Sequence, residues 1–397
     1  MLRRQFLSCW LTVAVVVLTC APVTVLAQEA TPATARAATD LPIVAVGLTS
    51  PRGLTWGADG TLYVALAGAG GTALGTPATG PGYTGGPTAS VVRIEAGCPV
   101  AVANGLPSTV NKGGGVTGVA DVAILGDHLY ALIAAGGEVF GNPGSTTGVY
   151  RVNADGTTTL VADIEAWLAA NPPETAGWTA PPEGYPNAGN LFAMVADEAA
   201  TVLWVVDALN GLIFTVTPDG TLTLAINLSE GHPVLTGIAV DPAGGIFVGN
   251  LTPAPYVNGT AKVRHVAPDG PVTDAITGLT AVTGVAVGTD GALYAIEMST
   301  GGTKDSPLVP SSGRLVRQTE GTSFEDVVTG LMFPIGLRVG PEGALYIALP
   351  ALKASDGSGQ IVRVDLAVGM ASPVADGMSE APQCARPAEE GLSTPAA

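Results

Sequence analysis

Charge is scarce in this sequence, and positive charge scarcest of all. Charged residues make up 12% of the 397-residue chain, with 16 lysines and arginines against 33 aspartates and glutamates, a net charge of −17. That deficit of cations excludes nucleic acid and anionic membrane surfaces as partners, because both select basic patches. Histidine occurs three times, as His128, His232 and His265, each in a separate element. There is no HExxH pair and no G-x-S-x-G elbow, so two common hydrolase signatures are missing. After residue 26 no segment is long and apolar enough to span a bilayer as a helix. Cysteine is also rare, with four in all: Cys9, Cys20, Cys98 and Cys384.

What is present begins with Met-Leu-Arg-Arg and an apolar run from Phe6 to Leu26 that closes on "VLAQEA". Two arginines, an apolar core and a small-residue site before Gln28 read as a secretory signal peptide over residues 1–27. A membrane anchor is the other reading of such a run. Ser8, Thr12, Thr19, Pro22 and Thr24 interrupt it and favour the signal peptide. Cys20 follows Leu-Thr, whereas a lipid-anchor site wants a smaller residue there. The mature protein is therefore expected in the periplasm or outside the cell, with Cys98 and Cys384 as its two cysteines. Two cysteines in an exported chain suggest one disulfide, the other possibility being two free thiols. With 54 glycines, 31 prolines and 47% hydrophobic residues, the chain has the composition of many short strands joined by turns.

A phrase of the form "DGxLY" recurs. "GADGTLY", "LGDHLY", "DEAATVLW", "DPAGGIF", "GTDGALY" and "GPEGALY" end at Tyr63, Tyr130, Trp204, Phe247, Tyr294 and Tyr346, with spacings of 67, 74, 43, 47 and 52 residues. The short spacings match the period of about 40–50 residues of propeller blades, and the long ones carry insertions. A strand precedes each turn ("RGLTW", "ADVAI", "FAMVA", "TGIAV", "TGVAV", "IGLRV"), and third and fourth strands follow the aromatic one. The sixth unit lacks its fourth strand. "LPIVAVGL" at residues 41–48 resembles the missing piece. The expectation is an all-β, six-bladed β-propeller of TolB/NHL-like type, closed by the N-terminal strand, which removes an aggregation-prone open edge. Closure makes the blades that hold Cys98 and Cys384 neighbours. The predicted organisation is a signal peptide over 1–27, a linker over 28–40, the propeller over 41–367 and a low-complexity tail over 368–397. Insertions are expected at 67–90, 134–148 and 163–190, the last opening with a short helix in "DIEAWLAANPPE" that Pro172 and Pro173 break. Loops of this length in a compact domain are often functional, or else disordered.

The residue three after each aromatic is Leu66, Ile133, Asp207, Asn250, Glu297 and Leu349. Three polar residues thus end apolar strands on three consecutive blades. The first two strands of a blade run antiparallel, so the end of the second lies on the same face as the start of the first. Arg52, Asp121 and Asn190 stand near that start. All six are candidates for one mouth of the central channel. Oxygen ligands from Asp207, Asn250 and Glu297 suit a hard cation such as Ca²⁺, or the group holds a polar ligand. The plain alternative is that these side chains cap turns or face channel water. Arg52 in "SPRGL" either binds an anion or pairs with Asp121 or Glu297, and pairing is expected at a crowded mouth. "GAGGTALG" has the glycines of a phosphate loop but no helix after it, so nucleotide binding is not expected.

Several phrases in order, "GLTSPRGLTWGADGTLYVALAGAGG", "GLPS", "GVADVA", "LWVVDALNGLIFTV" and "IFVGNLTPAPYVNGTAKVRHV", resemble ScyD/ScyE-type proteins over roughly residues 41–367. The resemblance implies an exported bacterial six-bladed propeller, and the relatives best known are associated with pigment maturation. Leu66 replaces an acidic residue of that pattern, and "PNAGNLF" replaces an Asn-Pro-Tyr phrase, with Asn190 the matching asparagine. A more distant likeness is to NHL and calcium-dependent gluconolactonase-like propellers. "WVVDAL" places Asp207 at their metal-binding aspartate, while Arg52, Thr236 and Thr283 stand where their other ligands would be. Two functions therefore compete. One is a monomeric secreted binding or scaffold module for a small molecule or an extracytoplasmic protein. The other is a metal-assisted, lactonase-like hydrolase or an accessory enzyme of secondary-metabolite maturation. Binding is favoured, because neither a general base nor a nucleophilic cysteine is evident.

Overall fold

The computed structural model describes residues 35–75, 82–172, 189–268, 270–366 and 382–384. The signal peptide reading and most of the tail fall outside the described residues. Six antiparallel sheets make six blades. Their inner strands are Pro51–Trp56, Val119–Leu125, Leu191–Asp197, Leu235–Val240, Val282–Val287 and Gly336–Val339. Consecutive inner strands touch, and the sixth touches the first, so the ring is closed. The expected N-terminal closure is present: Ile43–Leu48 pairs antiparallel with Gly359–Val364 as the outer strand of the sixth blade. The preceding segment, expected as linker, is not wholly free of structure. Arg36–Ala37 pairs in parallel with the outer strand of the fifth blade, Phe324–Leu331. The N-terminal segment therefore straddles the seam between the fifth and sixth blades.

Each seam between blades holds one apolar cluster. Between the second and third blades it includes Tyr130, Leu132, Met194 and Leu203. Between the fifth and sixth it includes Ile296, Leu315, Leu337 and Ile347. The other four seams repeat the arrangement. Strands apolar on both faces have no other way to leave water, which is why the ring and not the blade is the stable unit. The recurring turn has a local cause as well. Gly60 and Gly291 adopt φ of +81° and +76°, the left-handed conformation a tight hairpin needs. The preceding aspartates, Asp59 and Asp290, accept from the backbone N–H of Thr61 and Ala292.

The insertions are ordered where described. The third and outer strands of the first blade are long, Thr84–Glu95 and Cys98–Val110, and Ala73–Leu74 pairs with the first of them. Glycine serves close packing there: a Cβ on Gly75 would lie 1.9 Å from the Val139 carbonyl of the second blade's insertion. The expected short helix is Ile164–Ala170, with Asp163 accepting from Ala166 N at its N-terminus. Cys98 and Cys384 are joined by a disulfide with a sequence separation of 286. Cys384 Sγ lies 3.8 Å from the carbonyl oxygens of both Val46 and Gly97, at the seam between the sixth and first blades.

Candidate functional site

The inner strands carry the residues that shape the channel. At the second position of the inner strands of the fourth and fifth blades stand Thr236 and Thr283. Their hydroxyls donate to the next blade, to Val282 O at 2.7 Å and Pro334 O at 2.8 Å. In the first blade the same position is Arg52. Its Nη2 donates to Val116 O at 2.6 Å and its Nη1 to Ala351 O at 2.9 Å. The guanidinium is thus held between two carbonyls. The expected pairing with Asp121 or Glu297 is not made, because other arginines reach those carboxylates first. Arg338 takes Asp121 and Arg314 takes Glu297. No carboxylate pairs with Arg52 among the described residues. Burial without a counter-ion pushes its guanidinium down to about 10.

Asp121 stands in the neighbouring second blade and is buried. Its Oδ1 accepts from Val122 N at 2.9 Å. Its Oδ2 accepts from Met194 N at 2.9 Å and from Arg338 Nη2 at 2.8 Å. Burial raises its carboxyl above the ordinary range, and Arg338 and the two amides oppose that rise. Gly53 makes room for it: a Cβ there would fall 1.6 Å from Oδ1. Arg338 was not singled out in the sequence. One signal marked it, since it stands fourth in "IGLRV" where the other inner strands have Thr55, Ala123, Val195, Ala239 and Ala286.

Arg52, Asp121, Asn190, Phe192, Ile335 and Arg338 all line one cavity of about 180 Å³ within the ring. Three of the residues proposed from the sequence, Arg52, Asp121 and Asn190, are therefore brought together. Asn190 is oriented through its backbone, whose N–H donates to Asp207 Oδ1 at 2.9 Å.

Asp207, Asn250 and Glu297 are not among the residues lining this cavity. Each is occupied in its own blade, at the turn that leads into the inner strand. Asp207 also accepts from Leu209 N at 3.1 Å and from Asn210 Nδ2 at 2.6 Å. Asn250 donates to Pro233 O at 3.0 Å and accepts from Lys262 N at 2.9 Å. Glu297 accepts from Thr280 N and from Arg314, which also reaches Asp326 at 2.9 Å. Burial raises the carboxyls of Asp207 and Glu297. The lead-in turns need such support, because Val234 and Ala281 take positive φ values of 54° and 49°. No group of three or more His, Cys, Asp or Glu among the described residues is placed to hold a metal ion.

No family model matches the sequence, and no curated protein matches it. Solved structures resemble the fold. A putative oxidoreductase (glucose dehydrogenase) from Thermus thermophilus is similar at 17% identity, over 82% of this chain and 99% of that one, with a TM-score of 0.52. A calcium-binding protein, regucalcin, from Agrobacterium tumefaciens is similar at 13% identity, over 82% of this chain and 94% of that one, with a TM-score of 0.51. Likeness at these identities concerns the propeller fold alone.

Proposed function

We propose that this chain is an exported binding propeller of the ScyD/ScyE type, whose channel holds a small anionic ligand on Arg52. One observation carries the reading: a positive charge lines an internal cavity and no carboxylate among the described residues pairs with it. A guanidinium fixed through two of its five N–H donors retains the others for a ligand oxygen. Orientation before binding lowers the entropic cost of capture. The disulfide suits an extracytoplasmic location. No helix of the described residues is long and apolar enough to cross a membrane.

Thermal unfolding in acetate or phosphate, against chloride, tests this reading. A ligand at 100 times its dissociation constant stabilises by about 2.7 kcal/mol. The expected result is an upward shift in the wild type that Arg52→Gln removes. Equal shifts in both proteins, or none in either, would overturn it. The regucalcin likeness favours a second reading, a Ca²⁺-assisted lactonase-like hydrolase or an accessory enzyme of secondary metabolism. Against it, the oxygens it would use already accept N–H donors.

A further inference from the structure

We infer that the ligand of this cavity is an aromatic monocarboxylate of about benzoate size, with its ring in a flat apolar slot beside Arg52. This rests on the anion-binding reading above and adds the rest of the ligand to it. Charge sets the first constraint. Arg52 and Arg338 bring two positive charges to the cavity and Asp121 one negative, so a single anionic charge neutralises it. A dianion would leave a negative excess in a confined space near Asp121. A carboxylate fits the planar guanidinium through paired N–H···O bonds.

The walls set the second constraint. Phe192 and Ile335 line the cavity and are half-buried. Each also packs into blade seams, so part of each side chain is held while the rest borders the cavity. Gly237, Gly284 and Gly336 stand at equivalent places in three successive inner strands and line the cavity too. At these positions the fourth, fifth and sixth blades, like the first at Gly53, border the cavity with backbone. The tightness of the ring holds these glycines in place: a Cβ on Gly237 would lie 2.6 Å from the Gly284 Cα, and one on Gly336 2.3 Å from the Arg52 carbonyl. Glycine at these positions, with Phe192 also on the lining, leaves room for a planar body.

Volume sets the third. An apolar cavity of about 150 Å³ in another protein takes up benzene. The cavity here, about 180 Å³, exceeds that and has room for a ring with one carboxylate group. Thr236 and Thr283, the hydroxyls nearest the glycine wall in sequence, are already bonded between blades.

Isothermal titration calorimetry of the purified protein with acetate, benzoate, benzyl alcohol and phthalate decides the matter. Benzoate is expected to bind at least about tenfold more tightly than acetate, as apolar burial of a ring demands. Benzyl alcohol and phthalate are expected to bind more weakly than benzoate. Phe192→Ala should weaken benzoate more than acetate, and Arg52→Gln should weaken both. If acetate binds as tightly as benzoate, the aromatic slot is wrong while the anion reading stands. Benzyl alcohol matching benzoate would instead overturn the anion reading. No binding by any of the four overturns both. The wild-type titrations alone separate these outcomes, whatever the folding of the variants.

Discussion

Arg338 Nη2 sits 2.8 Å from Asp121 Oδ2, pinning the sixth blade to the second across the ring. The same nitrogen donates to Met194 O at 2.6 Å, and Met194 N returns a hydrogen bond to Asp121 at 2.9 Å. Three blades thus share one ionic network, although blades of a repeat architecture otherwise contact only their neighbours. The network also closes one side of the cavity that Arg52 lines.

Breaking this pair from one side leaves a buried charge without a partner. Arg338→Met is expected to cost about 3–5 kcal/mol in urea unfolding. The double variant Arg338→Met, Asp121→Leu should recover much of that loss, because it removes both charges together. A single-variant cost below about 1 kcal/mol would mean the bridge contributes little to stability.

Millimolar Ca²⁺ should leave the melting temperature where EDTA leaves it, since Asp207, Asn250 and Glu297 already serve their own blades. Glu297→Gln should lower stability by about 1–3 kcal/mol with or without Ca²⁺, through the loss of a charged acceptor for Arg314 and Thr280. A Ca²⁺-dependent rise that Asp207→Asn plus Glu297→Gln abolishes would restore the metal reading.

The pH dependence should have a maximum on the acid side of neutrality. Burial raises the carboxyls of Asp121, Asp207 and Glu297 in the folded protein. The folded state binds those protons more tightly than the unfolded chain. Stability therefore falls as pH rises from about 4 through the raised values. The net charge of −17 adds self-repulsion in the same direction. Exposed turn carboxylates such as Asp59, Asp155 and Asp356 behave oppositely, because hydrogen bonds from a Thr or Ser two residues away lower them. Their contribution is present above about pH 4 and is lost below it. Scanning calorimetry should find the highest melting temperature near about pH 5. A melting temperature that climbs from pH 5 to pH 8 would contradict this account.

Reduction of the disulfide should loosen the closing seam. The bond spans 286 residues and ties the C-terminal segment to the first blade beside the strand Ile43–Leu48. Cys98→Ser with Cys384→Ser is expected to cost about 3–5 kcal/mol, the range for closing a long loop. Hydrogen exchange in residues 43–48 should quicken more than in the third blade. Uniform quickening around the ring would show that the bond acts on the whole chain and not on the seam.

The architecture was legible because its causes are local and repeated. A polar turn leading into an apolar strand with an aromatic near its start recurs six times, with Asp-Gly in two of the turns, and each copy carries its own folding instruction. The N-terminal completion was legible because one unit lacked a strand that residues 41–48 matched. The polar ends at Asp207, Asn250 and Glu297 were visible too. Their orientation was not, since the same residue types serve a metal or a backbone turn and only the donors around them decide which.

By itself, then, the sequence determined the ring: the number of blades, the strand that completes the last one, and the cysteines at its seam. Tertiary structure alone decided the partners of the charges. Arg338 and Asp121 lie 217 residues apart, and Arg52 and Ala351 lie 299 apart. No periodic pattern encodes such pairs, because a side chain that crosses the ring meets whatever closure brings opposite it. Closure gave Asp121 its arginine, whereas Glu297 meets Arg314 on the adjacent strand of its own blade, and it left Arg52 at the cavity with no carboxylate partner among the described residues.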